Sequence, residues 1–89
     1  MKTSEIKLVK CETIPDELEF GKLYYSDKYG TAAHLCACGC GNKVVTPCKS
    51  GFWSIDTKDG KPTLSPSIGS FNLPCNSHYF IKQGKVTWL

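Results

Sequence analysis

Two short stretches decide how this chain is read: His34-Leu35-Cys36-Ala37-Cys38-Gly39-Cys40 and Cys75-Asn76-Ser77-His78. Between them they hold both histidines and four of the six cysteines of an 89-residue chain. Cysteines spaced by one residue pair poorly with each other, because a disulfide requires a particular approach of the two Cβ atoms. Thiolates at i and i+2 can instead reach one ion, which fills the gap between them. Metal is therefore the expected reading. The candidate ligands are Cys36, Cys38, Cys40, Cys75 and His78, with His34 as a weaker ligand or a hydrogen-bond donor behind one.

Working outward, the chain is short and its apolar supply thin. Hydrophobic residues make up 40% of it with the cysteines counted. One small domain over residues 1–89 is expected, and so is a stabilising element beyond core burial. An ion held by both clusters would supply that element, since zinc binding in small domains is folding free energy. The start, Met1 to Cys11, alternates charge with aliphatics and does not form a signal-peptide core, and no apolar run is long enough for a membrane span. A cytoplasmic protein with no membrane partner is expected, and a reducing compartment keeps thiols available for metal.

All eleven basic residues are lysines, scattered from Lys2 to Lys85, for a net charge of +3. Arginine supplies the planar fork that reads base edges, so its absence argues against sequence-specific nucleic-acid recognition. Another protein is the expected partner, and aromatics of the second half (Phe52, Trp53, Phe71, Tyr79, Phe80, Trp88) either fill the core or mark its docking patch. Nothing in the sequence fixes an oligomeric state.

Gly, Pro and Asp punctuate short β-branched and aromatic stretches, which predicts a mainly β fold with little helix. Strands are expected at Glu5 to Lys10, Lys22 to Ser26, Thr31 to Cys36, Lys43 to Thr46, Phe52 to Thr57, Pro62 to Ser65, Tyr79 to Lys82 and Lys85 to Leu89. Asp59-Gly60 and Gln83-Gly84 read as hairpin turns. Ser65 to Pro74 reads as a loop, and Asp16 to Phe20 as one helical turn. The fold class that follows is a small metal-stabilised antiparallel sheet of short hairpins, zinc-ribbon-like or Rieske-like.

The residue inventory leaves catalysis open and favours a non-catalytic zinc module. A zinc deaminase needs a glutamate beside its first ligand, and His34-Leu35-Cys36 has none. The alternative cofactor is a Rieske-type two-iron two-sulfur cluster for electron transfer: Cys75-x-x-His78 followed by Phe80 and Gly84 fits its second box, while His34-x-Cys36 reverses the order of its first. Cys11 and Cys48 stand apart from both clusters and read as small buried thiols.

The runs Gly21 to Ser26, His34 to Gly41, Pro66-Ser67-Ile68-Gly69 and Cys75 to Ile81, closing at Trp88, resemble the signature of a small bacterial domain-of-unknown-function family. The resemblance spans nearly the whole chain. It implies a metal-binding β-rich protein, with His34, Cys36, Cys38, Cys40, Cys75 and His78 at the signature positions. It also implies an accessory role in ubiquitin-like conjugation, since some members are encoded beside ubiquitin-like modifiers and their activating and conjugating enzymes. Pro66 to Gly69, with no ionisable group, reads as a shaped loop supporting the site or a binding surface.

Overall fold

A computed structural model describes residues 4–49, 53–69 and 78–89. Among them, eight strands form two four-stranded sheets, so the mainly β expectation holds. The first sheet has the order β1 (Lys7–Lys10), β2 (Lys22–Ser26), β3 (Thr31–Leu35) and β4 (Lys43–Pro47). The second has the order β5 (Ser54–Asp56), β6 (Thr63–Gly69), β7 (His78–Lys82) and β8 (Lys85–Trp88). Every pairing is antiparallel except β1 with β2, which run parallel.

Period-two alternation chooses the core. In β7, Tyr79 and Ile81 are buried while His78, Phe80 and Lys82 take the opposite face. In β3, Ala32 and His34 share the inward face, and Leu23 pairs with His34 from β2. These side chains meet Cys36, Ala37, Leu64, Ile68 and Val86 in one cluster between the sheets. The N-terminal segment fastens the two layers together. Val86 N–H donates to the Ser4 carbonyl and Ile6 N–H to that of Gly84, placing residues 4–6 against the second sheet, and the next four residues enter the first as β1.

Local signals locate the hairpins well. Gln83 and Gly84 both adopt positive φ, 51° and 75°, between the paired residues Lys82 and Lys85. Asp59 and Gly60 likewise sit at φ 58° and 71°, within a 3-10 turn at Lys58–Gly60 that joins β5 to β6. Two expectations differ from what is observed. Asp16 to Phe20 is not helical. Its chain is shaped instead by the Tyr24 hydroxyl, which accepts from Glu19 N–H at 3.1 Å. Ser65 to Gly69 is strand, not loop, because β6 accommodates its breakers by a register shift: Leu64 pairs with Ile81 and Ile68 with Tyr79, so four steps on β6 match two on β7. Pro66, which has no N–H to give to a ladder, falls inside that shift, where proline is tolerated. Residues 70–74 of the expected loop lie outside the described residues, as do Phe52 and Phe71.

Gly30 closes the β2–β3 turn at φ +62° and receives the N–H groups of Cys48 and Lys49 on its carbonyl at 2.7 and 2.9 Å. A Cβ at this position would overlap the Lys49 side chain at its root, where no rotamer change can clear it. Gly30→Ala is expected to cost about 2–4 kcal/mol, from overpacking together with a left-handed backbone. A shift of the urea midpoint with unchanged slope checks this.

Candidate active site and cysteine cluster

Two groups of reactive side chains lie on opposite faces of β7. On the outer face, His78 opens the strand and pairs across the ladder with Gly69 of β6. Ser67 is two residues before Gly69, and thus a diagonal neighbour of His78 on the same face. The two side chains meet there: Ser67 Oγ lies 2.8 Å from His78 Nε2, with both residues half-buried. With the imidazole proton on Nδ1, the serine hydroxyl donates to Nε2, which is the arrangement a general base needs to take that proton.

On the inner side, the β3–β4 connection folds into a tight loop of sulfur atoms. Cys36 N–H donates to the Asn42 carbonyl at 2.8 Å and Gly39 N–H to that of Cys36 at 3.0 Å. Gly39 and Gly41, at φ 89° and 83°, supply turns that residues with side chains resist. The Sγ atoms of Cys36, Cys38 and Cys40 all lie within 4.8 Å of one another, with Cys36 and Cys38 at 3.4 Å. Asn42 Nδ2 donates to Cys40 Sγ at 3.2 Å. Sulfur ligands 2.3 Å from one tetrahedral zinc are about 3.8 Å apart, so this spacing suits a single ion. Cys36 is buried, Cys38 half-buried and Cys40 exposed.

Tyr79 joins the two regions. Its hydroxyl is 2.7 Å from Nε2 of the fully buried His34 and accepts from Ala37 N–H at 3.3 Å. Burial lowers the His34 pKa from its usual 6.5 to about 4, so the ring is neutral near pH 7. Burial also pushes the Tyr79 phenol up, with the Ala37 N–H pulling the other way and the adjacent Cys36 and Cys38 thiols adding to the rise. The second His34 nitrogen, Nδ1, is buried with no hydrogen-bond partner among the described residues.

The sequence-predicted ligands are thus distributed unevenly. Among the described residues, Cys36, Cys38 and Cys40 form one group. His34 is held by Tyr79 and His78 by Ser67. Cys75 lies outside the described residues. Cys11 and Cys48 are free thiols facing the carbonyls of Tyr25 and Thr46, and burial raises both pKa values. Ser67 is the residue that sequence reading missed. Its stretch, Pro66 to Gly69, belongs to the signature already quoted, but no local feature separates this serine from its neighbours.

One family model matches residues 10–89, and its description is a bacterial ubiquitination-like system serine protease, BubE. The chain belongs to the BubE family. This links the domain to bacterial ubiquitin-like systems, as the resemblance implied, and gives a serine hydroxyl beside an imidazole immediate chemical meaning in a BubE protein. No curated protein and no solved structure gives a significant match. No helix among the described residues is long and apolar enough to cross a membrane.

Proposed function

We propose that this BubE protein is a serine hydrolase in which Ser67 is the nucleophile and His78 its general base, acting on the tail of a ubiquitin-like protein. The observation that carries this reading is the 2.8 Å contact between Ser67 Oγ and His78 Nε2. The family's description as a serine protease of a ubiquitination-like system supports it and supplies the substrate class. As the Oγ–C bond forms at the scissile carbonyl, the hydroxyl proton passes to His78 Nε2. When the tetrahedral intermediate collapses, the C–N bond breaks and that proton leaves on the departing amine. Water, deprotonated in turn by His78, then attacks the acyl ester and releases the carboxylate and Ser67. The test uses a bacterial ubiquitin-like protein carrying a C-terminal extension: intact-mass analysis should show loss of the extension with the native protein, and none with Ser67→Ala.

The cysteine loop favours a second component of this reading, a structural Zn²⁺. Cys36, Cys38 and Cys40 would hold it, and the fourth position falls to Cys75 on the sequence pattern. A Rieske cluster needs two imidazoles beside two thiolates, whereas the described residues group three sulfurs. When bound, zinc would supply a rigid clip for the loop. Elemental analysis of purified protein is expected to return about one zinc per chain, and stoichiometric iron would overturn this component.

A further inference from the structure

We infer that Tyr79 is a positioning residue: its hydroxyl ties β7 to the cysteine loop and thereby holds the imidazole of His78 against Ser67. The inference rests on the hydrolase reading above and adds a residue to it.

Among the described residues, β6 holds the start of β7 past the register shift through two paired positions, Ile68 with Tyr79 and Gly69 with His78, and from β8 the Leu89 N–H donates to the His78 carbonyl at 3.0 Å. Tyr79 adds constraints from elsewhere in the core. Its ring packs on Trp88, the partner residue on β8, at 5.0 Å between centroids, and meets His34 edge-on at 6.0 Å. The hydroxyl engages His34 at the end of β3 and Ala37 in the loop itself. Residues 78 and 79 share one planar peptide and point to opposite faces, so a tilt at Tyr79 swings His78 the other way. Catalytic groups tolerate displacements of only about 0.5 Å, and about 1 Å can cost a hundredfold in rate.

The probe for the test is a fluorophosphonate. On reaction, the Ser67 Oγ–P bond forms, the P–F bond breaks with loss of fluoride, and the hydroxyl proton passes to His78 Nε2. Tyr79→Phe keeps the ring and removes the hydroxyl. Assayed well below its melting temperature, it should label Ser67 at least tenfold more slowly than the native protein. The ¹⁵N shift of His78 Nε2 should move toward its value in Ser67→Ala, a change that simple loss of stability does not produce. His34→Gln retains a hydrogen-bonding partner for Tyr79 and should label within about threefold of the native rate, while His34→Leu should resemble Tyr79→Phe. A native rate and an unmoved shift in Tyr79→Phe overturn the inference. Failure of the native protein to label at Ser67 is a separate result, which overturns the hydrolase reading and this inference with it.

Discussion

Ser67→Ala should abolish hydrolysis while leaving the fold intact. Deleting the nucleophile of a serine hydrolase lowers kcat on the order of 10⁵–10⁶-fold, and deleting its histidine does about as much, because the two act as a unit. Ser67→Ala, His78→Ala and the double variant should therefore show nearly the same residual rate. Multiplicative losses would mean that the two side chains act independently. The stability cost should be small. Ser67 is only half-buried, and replacing its hydroxyl opens no core cavity. Steady-state kinetics on a ubiquitin-like precursor, with urea unfolding of the same three variants, separates the two effects.

Metal removal should have the other large consequence. Apparent zinc-binding free energies in small domains are about 10–16 kcal/mol, comparable to the whole stability of a typical domain, about 5–15 kcal/mol. A core drawn from an 89-residue chain has little margin beyond that. Treatment with a strong chelator at neutral pH is expected to collapse the near-ultraviolet circular dichroism, and zinc, but not magnesium, should restore it. Cys38→Ser should bind zinc far more weakly and melt well below the native protein. By contrast, Cys48→Ser should keep its zinc, since its thiol faces the Thr46 carbonyl and lies outside the sulfur group. A native-like spectrum after complete metal stripping would contradict a structural role for the ion.

What the sequence disclosed depended on how local each feature is. The turns at Asp59-Gly60 and Gln83-Gly84 were legible because positive φ selects those residue types within two positions. The sulfur group was legible because Cys36, Cys38 and Cys40 need only a tight turn to converge. The parallel entry of β1 beside β2 and the register shift in β6 were not, since both are set by pairing partners distant along the chain. The candidate nucleophile was hidden for the same reason. Serine is common, and Ser67 acquires meaning only when β6 pairs with β7 and sets it against a histidine eleven residues away in sequence. His78, expected as a metal ligand beside Cys75, presents its Nε2 to the Ser67 hydroxyl.

The catalytic pair itself is tested most directly by mapping where a serine-directed fluorophosphonate attaches to the native protein. Tandem mass spectrometry of the digested adduct should find one modified residue, Ser67, with the modification lost in His78→Ala. An adduct at any other residue, or labelling that persists at full rate without His78, would contradict a Ser67–His78 hydrolase.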